Sequence, residues 1–383
     1  MRRPSLTIGV EEEYLLVDRA TRDLVIEPPA GLLTDCEALL GDQVCAEFLK
    51  SQIEVETKVC RTVSEARADL VRLRRIVCDV AARYGLAPIA SGTHPSARWV
   101  HQQHTEKQRY DSLAEDLAGP VRRLVICGLH VHVGIEDDDL RIDLMNQLSY
   151  FLPYLLALST SSPFWEGEDM GVMSYRVSVF DSLPRTGLPE YFDSYAQYQR
   201  LVDQLVRADV ISDATKIWWD VRPSARFPTL EVRIADVCPR LDDALTIAAL
   251  YQCLISMLIR LHRKNQRWRI YPLSLIEENR WRAQRNGADG KMIDFGKGQA
   301  ADFGDLLDEL LDLVREDAEE LGCVAEIEHA REIVARGTGA RRQLNIYREA
   351  IAAGTSHEDA LRAVVDMLIA DMTYGLDGQA LES

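Results

Sequence analysis

Three consecutive glutamates, Glu11-Glu12-Glu13, lie inside a run that is otherwise apolar at Leu6, Ile8, Val10, Tyr14 and Leu16. The run reads as a β-strand, in which successive side chains point to opposite faces. Glu11 and Glu13 then share a face with Gly9, while Glu12 lies with Ile8, Val10, Tyr14 and Leu16. Carboxylates this close repel one another and oppose sheet packing unless positive charge sits opposite them. Taken alone, the triplet is compatible with the solvated face of an edge strand, where charge blocks pairing with other chains.

Further strands repeat the arrangement. Gln52 to Val59 places Ile53, Val55 and Val59 on one face and Gln52, Glu54, Glu56 and Lys58 on the other. Leu124 to Ile135 sets an apolar row from Val125 to Ile135 against Gly128, His130, His132 and Gly134. Val172 to Phe180 reads as a strand with Met173, Tyr175, Val177 and Val179 opposing Ser174, Arg176 and Ser178. A final strand, Thr229 to Ala235, opposes Leu230, Val232 and Ile234 to Thr229, Glu231 and Arg233.

Five strands therefore carry polar groups at i and i+2: Glu11/Glu13, Glu54/Glu56, His130/His132, Ser174/Arg176 and Glu231/Arg233. If their apolar faces rest on one helical layer, the polar faces line a common concave surface. Each pair alone suits the wet side of an antiparallel sheet. Wet faces are ordinarily built from Ser, Thr, Lys and Gln, so the whole set points to a site. Carboxylates with one or two imidazoles favour hard divalent cations such as Mg²⁺ or Mn²⁺, whereas zinc recruits more His or Cys. Arginines beside them suit phosphate, which the guanidinium fork bonds bidentately. Neither GxxxxGK[ST] nor a GxGxxG after a strand is present, so the nucleotide site implied here does not use a glycine-rich loop.

Helices are expected at Gly31 to Leu40, from a Ser64 cap to Tyr84 with Gly85 at its end, at Asp139 to Ser159 with a break at Pro153, and at Tyr191 to Val210. A short strand spans Ala87 to Ala90, and a polar segment runs from Arg98 to Tyr110 with His101 and His104. From Asp242 onward only helices are predicted, at 242–264, 300–321, 324–336, 341–353 and 357–372. No repeat or long linker divides the chain. The expectation is one α+β domain over residues 1–383, with helices on the sheet's back and a helical C-terminal part from about 300 to 383.

Hydrophobic residues make up 47% of the 383 and charged residues 27%, which excludes wholesale disorder. A net charge of −17 argues against nucleic acid as the main partner, since phosphate backbones need clustered Lys and Arg. The eight cysteines form no CxxC pair, so neither a zinc knuckle nor a disulfide framework is expected and a reducing cytoplasm fits. The longest apolar candidate, Leu144 to Leu158, contains Asn146, Gln147 and Pro153 and is too short to span a bilayer. No membrane association is expected.

Gly-Val-Glu-Glu-Glu-Tyr at 9–14, Gly-Thr-His-Pro at 92–95 and Gly-Leu-His-Val-His-Val-Gly at 128–134 resemble the bacterial carboxylate–amine ligase family of glutamate–cysteine ligase type 2-like proteins. So do Ser-Ser-Pro-Phe-Trp at 161–165, Trp-Trp-Asp-Val-Arg-Pro at 218–223, Glu-Val-Arg at 231–233, and Asn-Arg-Trp at 279–281 followed by Arg285-Asn286-Gly287. The motifs cover most of the chain from Leu6 to about Gly287, in order.

The resemblance implies a glutamine-synthetase-like core with a curved, largely antiparallel sheet around ATP and its metals. By similarity Glu11, Glu13, Glu54, His130 and Glu231 match metal-coordinating positions. Arg233 and Arg176 match catalytic arginines that contact phosphate or substrate, and His132 is placed with them on the nucleotide. Glu12 faces away, paired with a basic group. The implied reaction transfers the ATP γ-phosphoryl to a carboxylate, and an amine then displaces phosphate to form an amide. Glutamate is the implied acid, cysteine the default amine, and the implied assembly a homodimer. A different amine keeps the same chemistry. A metal-dependent hydrolase is the rival prompted by His130-Val131-His132, but it would need more His and Asp than the later strands offer. His94, His101, His104, Trp219 and Arg222 either border the substrate or serve packing.

Overall fold

The computed structural model describes residues 3–106 and 119–376. The polar stretch expected from Arg98 is described as far as Glu106; its remainder to Tyr110 lies outside the described residues. With two-residue ladders left unnumbered, the elements are β1 (Ile8–Asp18), α1 (Gly31–Leu40), β2 (Val44–Ala46), β3 (Gln52–Glu56), α2 (Val63–Arg83), β4 (Leu86–Ile89), β5 (Leu129–Gly134), α3 (Asp138–Leu148), α4 (Leu152–Ser159), α5 (Tyr175–Phe180) and α6 (Tyr195–Arg207). They continue with β6 (Val221–Pro223), β7 (Thr229–Val232), α7 (Leu241–Arg263), α8 (Leu273–Asn286), β8 (Lys291–Asp294), β9 (Gln299–Asp302), α9 (Phe303–Leu321), α10 (Val324–Arg336), α11 (Gly339–Ala352) and α12 (His357–Thr373).

The glutamate-triplet strand lies inside the main sheet, whose order is β6-β7-β5-β1-β3-β2, with β4 pairing the far half of β1. Every pairing in it is antiparallel. Ile8, Val10, Tyr14, Val55, Val131 and Val133 are buried on the apolar side, where α2 and α7 pack against β1 and β5. α7 is long and apolar enough to cross a membrane, a stretch the sequence reading passed over. Of its most apolar 18-residue stretch, 89% is buried inside the protein, as befits a core helix. The C-terminal helices α9 and α10 pack on α7, and α12 on β4 and α2.

Several expectations are corrected. The second strand stops at Glu56, because the Lys58 amide turns to the Asp69 carboxylate on α2 at 2.8 Å, and Val59 is left 79% exposed. Thr62 rather than Ser64 caps α2, accepting from the Glu65 amide, while Glu65 reaches back to the Arg61 amide at 2.7 Å, a capping-box arrangement. Gly85 follows α2 with φ +71°, the left-handed turn that ends helices. Pro153 sits in the first turn of α4 after a 3₁₀ break, where its missing N–H costs nothing.

The region 172–180 is no strand. Its amide groups find loop and helix partners in place of a sheet neighbour: Met173 and Ser174 donate to the Gln284 carbonyl at 2.8 and 3.1 Å, and Tyr175 to Ser162 at 2.8 Å. The alternation of β-branched and aromatic residues loses to these tertiary bonds, and α5 forms. The chain after Asp242 is not all helix either. The hairpin β8–β9 interrupts it, turned by Asp294, whose carboxylate accepts from the Gly296 and Lys297 amides. α8 was also unforeseen.

Candidate active site

The register of the main sheet brings the polar pairs into one patch. Glu13 lies opposite Glu54 and Glu11 opposite Glu56 across β1 and β3. On the other edge of β1, Glu11 faces His130 and Gly9 faces His132. His132 then faces Glu231, which faces Arg222 on β6. These side chains floor a cavity of about 500 Å³ that also admits Arg176, Arg233, Glu47, Trp218 and Phe227. Eight of the sequence-derived candidates thus meet: Glu11, Glu13, Glu54, His130, His132, Arg176, Glu231 and Arg233.

Arg176 reaches the patch from α5, not from a strand, and its former partner Ser174 points elsewhere, donating to Asp236 at 2.8 Å. The Arg176 guanidinium lies over Gly128, just before β5, donating to the carbonyls of Arg233 and Ile234 at 3.2 and 3.3 Å. A Cβ at residue 128 would collide with that guanidinium, so any larger residue there must push Arg176 aside. The Gly128 amide also donates to Glu13 Oε2 at 2.6 Å.

His130 Nδ1 is 3.1 Å from Glu11 Oε2 and His132 Nε2 is 2.9 Å from Glu11 Oε1. His132 Nδ1 lies 2.9 Å from Thr229 Oγ1. Glu231 is gripped by two arginines: Arg222 donates to both its oxygens at 2.9 and 3.2 Å, and Arg233 donates to Oε1. Ligand atoms of Glu11, Glu54 and His130 lie within 4.8 Å of one another, as do those of Glu11, His132 and Glu231, and of Glu13, Glu47 and Glu54.

The electrostatics are lopsided. Burial pushes the Glu13 carboxyl up to about 7, with Glu47 adding to the rise against Arg176, the Gly128 amide and Arg233. Burial also pushes Glu54 well above the carboxylate range, reinforced by Glu47, Glu11, Glu13 and Glu56. Glu231 goes the other way: burial opposes its charge, but Arg233 and Arg222 hold it well below the usual value. Burial and the nearby Arg233 lower His130 to about 4, against the pull of Glu11. One end of the patch is charge-balanced by arginine, and the other holds more carboxylate than its surroundings neutralise.

His130 Nε2 is buried without a hydrogen-bond partner, 3.7 Å from Glu13 Oε1. An orphaned imidazole nitrogen among crowded carboxylates fits a divalent cation held by oxygen and one nitrogen. The Nε atoms of Arg176 and Arg233 are likewise buried and unpartnered, which suits an anionic ligand.

Reading from sequence missed Glu47 and Asp236. Glu47 comes from the β2–β3 loop and carries no periodic signal. Asp236 accepts from the Ser161 amide and from the Ser162 and Ser174 hydroxyls at 2.7–2.9 Å, so it holds the Ser-Ser-Pro loop against α5. Arg222 does line the cavity, but Trp219 is buried against Phe192 and Tyr198 and Trp218 takes the cavity side. His94 is buried outside the cavity, and His104 stacks on Phe48 with ring centres 6.2 Å apart.

A family model described as Glutamate-cysteine ligase family 2 matches residues 7–366. A protein of Rhodospirillum rubrum, provisionally named glutamate–cysteine ligase 2, is 59% identical over 99% of each chain. One from Jannaschia sp., named in the same way, is 54% identical over 97% of each. Among solved structures, glutamate–cysteine ligase of Francisella tularensis in complex with AMP superposes with a TM-score of 0.70 at 14% identity, covering 98% of this chain and 91% of that one. A bifunctional glutathione synthetase of Pasteurella multocida gives 0.67 at 16% identity, covering 96% of this chain and 52% of that one. At such identities the likeness is one of fold.

Proposed function

The chain belongs to glutamate–cysteine ligase family 2, and from that premise we propose that it is an ATP-dependent ligase that activates the side-chain carboxylate of glutamate and joins it to an amine. The observation that carries this is the split patch itself: Glu13 and Glu54 raised by burial and by crowding carboxylates, with Glu11 and Glu47 beside them, next to buried arginines with free Nε groups. The F. tularensis relative in fold binds AMP, which supports ATP as the nucleotide.

In this reading the γ-phosphoryl group passes to a glutamate carboxylate oxygen, ADP leaves, and the resulting acyl phosphate is attacked by the amine with release of phosphate. Glu11, Glu13, Glu54 and His130, with Glu47 beside them and with Glu231 and His132 at the far end, would hold Mg²⁺ or Mn²⁺. Such ions, when bound, neutralise phosphate oxygens as charge shifts toward the leaving group. Arg233 and Arg176 add fixed positive charge at the phosphates, and Arg222 keeps Glu231 ionised and in place. Positioning supplies much of the rest, and no covalent enzyme nucleophile is needed.

Cysteine is the amine proposed by family. Other small amines keep the same chemistry. Phosphate release from ATP, Mg²⁺ and glutamate across a panel of amines tests the proposal, with Glu11→Gln as the inactive control. Absence of release with every amine would overturn it.

A further inference from the structure

Arg280 lies on α8, away from the cavity lining, yet it makes four hydrogen bonds to two carboxylates beside the segments that carry the site's arginines. Its Nε and Nη2 donate to Asp220 at 2.6 and 3.2 Å, and its Nη1 and Nη2 to Asp181 at 2.7 and 2.8 Å. Asp181 is the residue that ends α5, its amide bonded to the Val177 carbonyl. Asp220 precedes β6, and its carbonyl accepts the Arg233 amide at 2.7 Å. One guanidinium therefore spans the segments that carry Arg176, Arg222 and Arg233.

The span matters because α5 has only six residues, and a helix that short does not hold itself. Further restraints come from α8, where the Gln284 carbonyl accepts the Met173 and Ser174 amides and the Gln284 side chain donates to Ser178 Oγ at 2.6 Å, and from the 161–163 loop, where Ser162 accepts the Tyr175 and Arg176 amides. α8 thus grips α5 at its start, middle and end. Arg176 lies between these grips, with its amide on Ser162 Oγ and its guanidinium on the Arg233 and Ile234 carbonyls. Asp220 is buried, and burial raises its carboxyl against the pull of Arg280 and, more weakly, of Arg176.

We infer that Arg280 is a positioning residue for phosphate recognition, fixing Arg176 and Arg233 over the carboxylate floor through Asp181 and Asp220. The ligand's identity rests on the ligase reading; the clamp does not. The metal candidates Glu11, Glu13 and Glu54 lie on β1 and β3 and share no hydrogen bond with Arg280, Arg176 or Arg233 among the described residues, whereas Arg233 bonds Glu231 and lies 3.4 Å from His130; a cation at the β1–β3 end should therefore respond less to the clamp than nucleotide does. Lysine cannot fork to two carboxylates, which makes Arg280→Lys the informative variant.

The experiment compares wild type, Arg280→Lys, Asp181→Asn and, as a surface control on the same helix, Arg282→Ala. Three quantities are read: Mn²⁺ binding alone, affinity for adenylyl imidodiphosphate in Mn²⁺, and amide hydrogen exchange across residues 173–181 without ligand. Arg280→Lys and Asp181→Asn should leave Mn²⁺ affinity within twofold, weaken the nucleotide analogue at least tenfold, and speed exchange in 173–181 but not in β1 or β3. Arg282→Ala should match wild type. Unchanged exchange in 173–181 would overturn the clamp, and parallel loss of Mn²⁺ and nucleotide would show a general structural role instead. Wild type that binds Mn²⁺ but no nucleotide would refute the ligase reading, while the exchange result still decides whether Arg280 positions α5. If Arg280→Lys does not fold, the partly exposed Asp181→Asn decides.

Discussion

Glu12 and Arg74 form a bidentate ion pair from which solvent is wholly excluded, both side chains at 0% exposure. Arg74 Nε and Nη2 donate to the two Glu12 oxygens at 2.9 and 2.5 Å, and the guanidinium also donates to the carbonyls of Pro239 and Cys238 at 2.9 and 3.0 Å. Tyr14 adds its hydroxyl to Glu12. The pair ties β1 to α2 and to the chain entering α7. Breaking a buried pair by removing one charge strands the other, at a cost of about 3–5 kcal/mol. Glu12→Gln should lower the denaturation midpoint accordingly, while metal affinity of the remaining folded protein stays within about twofold. A midpoint unchanged from wild type would contradict this account of the pair.

The neighbouring glutamate should behave in the opposite way. Glu13 sits among carboxylates that resist one another, with burial and Glu47 raising it. Glu13→Gln removes a charge the folded protein holds at a cost, so the metal-free variant should be as stable as wild type or more so. Its metal-dependent turnover should fall by at least about 10²-fold, the scale seen when one electrostatic contact to developing charge is removed. Denaturation in chelator and phosphate release are the paired measurements.

The same repulsion predicts a metal effect on folding. A cation that binds only the native state stabilises it by about 2.7 kcal/mol at one hundred times its Kd. Mg²⁺ or Mn²⁺ should raise the thermal midpoint of wild type, and Glu54→Gln should raise the metal-free midpoint while blunting that response. An equal response in both proteins would place the cation elsewhere.

Gly128 offers a test of the site's other half. Gly128→Ala must displace the Arg176 guanidinium, for which overpacking costs about 1–3 kcal/mol. Misplacement near 1 Å can cost about 10²-fold in rate. A folded Gly128→Ala enzyme with wild-type nucleotide KM and kcat would show that Arg176 is not used where the structure places it.

The site was legible because most of it is written with period two. Glu11, Glu54, His130 and Glu231 stand on strands whose alternation fixes their face, and antiparallel register then aligns them without further information. Arg176 was found for a reason that proved incidental: the alternation at 172–180 mimics a strand, but the backbone bonds to Gln284 and Ser162 make it a helix and a loop. Glu47 sits on a loop and Asp236 follows a strand end, where no periodicity singles either out. The hairpin at 291–302 was hidden by its short strands, though Asp294 and two glycines in its turn did mark it. Arg280 was recognised only as part of a motif; its partners Asp181 and Asp220 lie roughly 60–100 residues away in sequence, and only the fold joins them.

His94 gives a prediction in pH. It is 1% exposed; its Nδ1 accepts from the Ser96 and Ala97 amides at 3.2 and 3.0 Å. That assigns the proton to Nε2, which lies 3.0 Å from the Arg22 carbonyl and so donates to it. Burial lowers the imidazole from 6.5 to about 4, against the pull of the Arg22 carbonyl and Asp23. The unfolded chain therefore takes up a proton below about 6.5 that the folded protein refuses until about 4. The contribution is fully present above 6.5 and is lost as pH falls, by about 1.4 kcal/mol per unit and about 3 kcal/mol in all. His94→Gln removes this titration, so the stability difference between wild type and variant should shrink steadily from pH 6.5 to 4. Because other groups titrate equally in both proteins, the difference isolates His94. A difference that stays constant over that window would mean the ring is protonated in the fold, with the Ser96 and Ala97 bonds wrongly assigned. His94 lies outside the cavity lining, so nucleotide KM at pH 8 should differ by less than about twofold between the two folded proteins.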